Sequence, residues 1–362
     1  ETSGKIDGKP DEKSGILQKL GVNQSPESKE RWARRMWWLH SVWALTAGAL
    51  VVIYAGRNYE KARWLILLLL AAWLLIVFFY RVFGSKPLEG AKSVKQKVGF
   101  LVFTYALKNL YQAMIFFLLP FYWRSATLGT SNQWFVLVLG LAGVLATLDL
   151  VFDRVLMRWR LVASSYFVIT LFAAINLAIP ALLPGISASW ALLVASMTAM
   201  AVFWTFHVPM AALLSERKMQ LGFLVAIGAA LAAGLALRPV VPPVPHYVVR
   251  GAIGRTLVTD RLSEEAHGFH VEHLGDLYAQ TRVLAPGGAD GDFRHVWRYG
   301  KEIVLEVVPR HRSIDSRDPS LVTVTSRLPS SSLPPRPAGR WSVDVLTDDD
   351  RLVGRVRFRI YR

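Results

Sequence analysis

Cysteine is absent from this chain of 362 residues. Its absence excludes disulfides, thiolate zinc sites, iron–sulfur clusters and cysteine nucleophiles, and it leaves the redox compartment open. Charge is scarce too. Only 19% of residues are Asp, Glu, Lys or Arg, against about 25% in an ordinary soluble domain. The catalytic signatures with a clear mechanism are missing: there is no G-x-S-x-G elbow, no H-E-x-x-H helix and no Walker loop. Acids fall short of bases, which leaves a formal net charge of +16.

What the chain has in abundance is apolar sequence: 53% hydrophobic residues and a mean hydropathy of +0.33. The excess lies between residues 37 and 237, in runs long enough to cross a bilayer at about 20 residues per helix. Seven spans are expected, at 37–56, 64–80, 98–123, 134–152, 161–183, 188–206 and 220–237. Positive charge orients them. With the N-terminus in the cytoplasm, the inner segments hold fifteen Lys or Arg residues and the outer segments five, the bias expected of cytoplasmic loops. Seven spans then place the C-terminal domain outside the cytoplasm, which in a Gram-negative cell is the periplasm. The basic excess is read as anchoring at lipid headgroups rather than as nucleic-acid binding. Trp37, Trp38, Trp43, Trp123, Trp134 and Trp159 sit where interfacial belts are expected.

Residues 1–36 read as a polar tail followed by a helix start. Ser25-Pro26-Glu27 supplies a cap, a proline at the first helical position and an acid. The first 25 residues lack the apolar core of a secretory leader. Residues 238–246, rich in proline, read as a stiff linker. From 247 to 362 apolar residues alternate with polar ones, which signals strands. About seven strands are expected, forming an all-β, Ig-like antiparallel sandwich. In the last hairpin, pairing Leu346 with Arg351 puts Trp341 opposite Val356 and Val345 opposite Leu352, with both apolar sets on one buried face. Arg355, Arg357 and Arg359 line the other face.

Three stretches of this C-terminal part carry a resemblance: TRVLAPGG…FRHVWRYGKEIVLEVV, TVTSRLP and PAGRWSVDVLTDDDRLVGRVRFRI. The pattern is a His295-x-Trp297 strand, a Gly300-Lys301 turn, a Thr325-Ser326 run, then Gly339-x-Trp341-x-Val343-x-Val345 and a closing Phe358-x-Ile360 strand. It resembles a small bacterial domain of unknown function that often ends uncharacterised multi-span inner-membrane proteins. The resemblance covers 247–362, and the membrane part matches by architecture and order. It implies a fold and a location; it implies no catalytic residue.

The chemistry-bearing candidates are few. Lys108 lies about ten residues into the third span, roughly 15 Å from the inner surface, with Asn109 and Gln112 beside it and Asp149 on the next span as its natural partner. A lysine facing lipid at that depth costs several kcal/mol. One reading is an ion relay or polar substrate site; the plainer one is a buried ion pair locking two helices. His267, His270 and His273 are three apart, but without supporting carboxylates a metal site is not expected. The Gly-rich stretch 287–292 reads as a turn. The arginine row 355/357/359 matches phosphate or carboxylate chemistry, or is a solvated face that guards a sheet edge. No metal, cofactor or nucleic acid is expected. The leading expectation is a non-enzymatic inner-membrane protein anchoring a periplasmic β-sandwich that binds an envelope protein, a glycan or an anionic lipid. A transporter or channel built on the Lys108 cluster comes next, and a membrane enzyme acting on lipid-linked substrates last.

Overall fold

A computed structural model describes residues 114–147, 160–183, 185–258, 261–285, 293–308, 311–315 and 318–362. The chain divides into two compact units, Glu1–Thr46 and Ala47–Arg362, and every described residue belongs to the second. The first two expected spans and residues 98–113 of the third fall outside the described residues.

Six helical segments come first: α1 at 114–125, α2 Gln133–Thr147, α3 Arg160–Leu182, α4 Ala188–His207, the short α5 Met210–Ser215 and α6 Arg217–Ala236. Among the described residues, three helices are long and apolar enough to cross a membrane: α3, α4 and α6. Seven spans are not supported by the described residues; three are. The ends are set locally. Ser187 caps α4 and accepts from Trp190 N at 3.3 Å. Pro209 forces Val208 into extended backbone (φ −119°, ψ 126°) and so separates α4 from α5.

Packing is uneven across the helices. Met114, Leu118, Phe121 and Tyr122 of α1 bury against Phe135 and Leu139 of α2, Phe167 and Leu177 of α3 and Leu192 of α4. By contrast α6 touches α4 along a single stripe. A Cβ on its Gly222 would lie 3.1 Å from the Trp204 ring, and one on Gly234 2.8 Å from Ser196 Oγ. Leu221, Leu224, Val225 and Leu235 on its other faces are exposed, which suits a helix whose solvent is hydrocarbon.

The β domain follows, with two antiparallel main sheets. One has the order β1-β5-β9-β8: β1 is Tyr247–Gly254, β5 Leu277–Leu284, β8 His311–Asp315 and β9 Asp318–Leu328. The other has the order β4-β11-β10-β6-β7: β4 is Gly268–His270, β6 Arg294–Tyr299, β7 Glu302–Val307, β10 Gly339–Leu346 and β11 Leu352–Tyr361. The short β2 Thr256–Val258 and β3 Arg261–Ser263 form a separate hairpin. The short β4 joins β11 in parallel. The two main sheets pack face to face. Ile253, Leu277 and Ala279 of the first share a core with Trp297, Trp341, Val343 and Phe358 of the second. The sheets approach closely at Gly251, where a Cβ would lie 2.3 Å from Val356 Cγ2.

One register differs from expectation. Trp341 pairs with Phe358, not Val356, and Leu346 pairs with Leu352. A bulge between Val345 and Leu346 shifts the ladder and absorbs the extra residue in the hairpin. The slip of two residues leaves Val356, Phe358 and Ile360 on the buried face, but at the bulge Leu352 falls opposite Leu346 and it is Val353, not Leu352, that enters the core.

Candidate functional site

The most developed polar site is where the helices meet the β domain. Three connections converge at one end of the helices: the loop 126–132, the α3–α4 turn and the strap after α6. Antiparallel alternation of the helices brings them there. Val241 and Val244 of the strap are 1% exposed, so the proline-rich segment packs between the two parts rather than crossing solvent.

Arg351, in the β10–β11 turn, is 3% exposed. Its Nη1 donates to Ala188 O at 2.8 Å and its Nη2 to Val241 O. One side chain thus ties the first turn of α4 and the strap to the sheet. Burial pushes its pKa down to about 10, against the raising influence of Asp349. Asp349, two residues earlier, accepts from Ser189 N at 2.7 Å and from Thr347 Oγ1. It therefore sits at the N-terminus of α4, where a carboxylate complements unpaired N–H groups and the helix dipole. Burial pushes the Asp349 carboxyl up, but hydrogen bonds from Ser189 and Thr347 and the Arg351 charge outweigh it and hold it below the usual range.

Other contacts ring this pair. His246 Nδ1 donates to Pro243 O at 3.2 Å, and its ring meets Phe293 edge-on. Burial pushes its pKa down to about 4. Arg124 donates to Tyr247 Oη at 3.1 Å, Ser131 Oγ to Pro239 O at 2.7 Å and Arg357 Nη2 to Leu128 O at 2.7 Å. Chemically the joint is a lock. The Arg351 Nη atoms are spent on backbone carbonyls and Asp349 on an N-terminal amide and Thr347, while Arg351 Nε and Ser189 Oγ are buried without a hydrogen-bond partner among the described residues.

A second polar cluster lies inside the sandwich. His295 Nε2 meets Thr281 Oγ1 at 2.8 Å and its Nδ1 meets Ser326 Oγ at 2.7 Å. Trp297 Nε1 also donates to Ser326 Oγ, at 3.1 Å. His295 and Trp297 lie on β6, Thr281 and Ser326 on the opposite sheet, so these bonds cross the core. A His–Ser pair at this distance resembles a base and nucleophile. Both residues are buried, however, and burial holds the His295 pKa down at about 3. The pair holds the two sheets in one alignment. It also explains the His-x-Trp element and the serine of the Thr-Ser element, whose side chains meet here, while Thr325 accepts from Gln280 instead.

The sequence candidates fall as follows. Lys108, Asn109, Gln112 and Asp149 lie outside the described residues. The arginines of β11 share one face but not one role. Arg355 holds Asp344 Oδ1 at 2.5 Å and Oδ2 at 2.8 Å, an acid it shares with Arg298. Those bonds raise its pKa. Arg357 reaches the helix-end loop, and the Arg359 guanidinium lies 5.5 Å from the Tyr361 ring centroid. His270 lies on β4 with its Nδ1 3.4 Å from Arg362 O, and His273 lies in a 3-10 turn. The lock at buried Arg351, with Asp349 on the α4 N-terminus, was not singled out from the sequence. Its only local signal is a turn of three aspartates, Asp348 to Asp350, before an arginine.

Comparison with known proteins adds one finding. No curated protein and no solved structure matches the chain. A family model matches residues 22–277, a span that takes in all the described helices, the strap and the first strands of the β domain. The chain therefore belongs to a family of unknown function, DUF5924.

Proposed function

We propose that the protein is a non-enzymatic membrane anchor that holds its β domain rigidly at one membrane face and presents it to a partner in a bacterial envelope. The observation that carries this reading is the buried lock at Arg351. A domain that only needed tethering would hang on a free linker. Here the strap is buried and a charged side chain, costly to bury, is spent on fixing the domain to α4. The apolar α3, α4 and α6 support anchoring. The bias of basic residues favours a cytoplasmic N-terminus and a periplasmic β domain, whose partner is an envelope protein, a glycan or a lipid headgroup.

The chain has no cysteine, so thiol labelling of spheroplasts reports sidedness cleanly. A Ser331→Cys variant is expected to react with a membrane-impermeant reagent, while Ser93→Cys reacts only after lysis. The reverse pattern overturns the orientation. Photocrosslinkers at exposed β-domain positions in intact cells should then give discrete adducts. A complete lack of adducts overturns the partner-binding reading.

A further inference from the structure

We propose that Arg340, Arg357 and Arg359 form a contact site for the phosphates of anionic phospholipids in the membrane that holds the helices. This rests on the membrane reading of the helices, but not on which side the β domain occupies.

The first support is register. On the outer face of the five-stranded sheet Arg340 stands directly opposite Arg359, and Ser342 opposite Arg357. All three arginines are exposed. One rung further along, Asp344 pairs with Arg355 and also holds Arg298, so that acid is already engaged twice. Among the described residues neither Arg340 nor Arg359 has an acidic partner. Like charges directly opposite on neighbouring strands repel, and an anion between them removes the repulsion. The planar guanidinium fork matches phosphate geometry.

The second support is position. Arg357 Nη2 donates to Leu128 O at 2.7 Å, in the loop flanked by Trp123 and Trp134. Trp123, Trp134 and Trp190 are 58%, 59% and 63% exposed, and Leu128 is 61% exposed, all at this end of the helices. Bare tryptophans at helix ends mark the headgroup level. Arg357 therefore stands at the tier where lipid phosphates lie, and Arg359 is two residues further along the strand, about 7 Å away. An acidic soluble partner would satisfy the charge but would leave the tryptophans beside it unexplained.

The test is native mass spectrometry of the full chain in detergent, titrated with phosphatidylglycerol or with phosphatidylcholine. In the R340Q/R359Q variant, which leaves the Arg357–Leu128 contact in place, phosphatidylglycerol should bind about fivefold more weakly for each arginine removed. Phosphatidylcholine binding should not change. R340K/R359K should keep most of the preference, and R261Q, on the separate β2–β3 hairpin, all of it. A thermal melt matching the parent shows that the fold survives. Unchanged phosphatidylglycerol binding in R340Q/R359Q overturns the site, as does an equal loss in R261Q. Either result, with the Ser331→Cys labelling pattern intact, would sink this inference and leave the orientation standing.

Discussion

At the residue scale, the joint depends on side chains whose burial makes them intolerant of change. Removing the guanidinium in Arg351→Met leaves the carbonyls of Ala188 and Val241 without their donor and takes away a positive charge near Asp349. Each buried carbonyl left without its donor costs about 1–3 kcal/mol. We expect the loss at the joint first, as faster hydrogen exchange in residues 241–246, while the Trp297 core stays protected. Asp349→Asn should cost less, about 1 kcal/mol, since it removes only the charge at the α4 N-terminus. The buried histidines add a pH dependence of definite sign. His246 and His295 titrate near 4 and 3 in the folded chain, below the ordinary value of about 6.5. The unfolded chain therefore takes up these protons first. Stability is complete above about pH 6.5 and falls as pH drops toward 4, by up to about 1.4 kcal/mol per pH unit for each histidine. Denaturant unfolding followed by tryptophan fluorescence at stepped pH reads this directly, and His246→Phe should halve the slope. An unchanged slope would place the acid sensitivity elsewhere.

At the element scale, close approaches decide which substitutions the packing admits. Gly251 lets β1 meet β11, and a methyl there collides with Val356. Gly251→Ala should destabilise the domain by about 2 kcal/mol through overpacking, and adding Val356→Ala should recover part of that loss. Additive costs in this pair, measured by urea melts, would contradict the face-to-face packing at that point. The final hairpin teaches a related lesson about legibility. Alternation made its strands, its turn and its buried face readable. The register was not readable, because a two-residue slip preserves the alternation of Val356, Phe358 and Ile360, and the bulge that puts Val353 rather than Leu352 in the core exchanges one apolar residue for another.

For the whole molecule, the joint turns two separately readable halves into one body. The three helix-end connections all contact the β domain, so a partner that tilts the sheet also loads α4 and the strap. If the lock performs that service, a thiol probe at Ser331→Cys should show restricted motion in the parent chain and freer motion in Arg351→Met, with the overall fold retained. Equal mobility in both would mean that the remaining contacts at Leu128 and Tyr247 suffice to hold the domain.

Local and periodic features were determined by the sequence alone. Apolar length marked α3, α4 and α6; period-two alternation marked the main strands; Ser187 and Pro209 set helix ends. These signals are legible because each arises from residues a few positions apart. Tertiary structure alone decided which distant groups meet. It brought Arg351 to Ala188 and Val241, His295 to Ser326, and Arg340 opposite Arg359. It also gave Arg355, Arg357 and Arg359 separate roles, though they are equivalent along the strand. Burial and partner charge, which settle what a polar side chain does, depend on contacts whose separation along the chain runs from 11 residues at Arg355–Asp344 to 229 at Arg357–Leu128, and no local pattern encodes them.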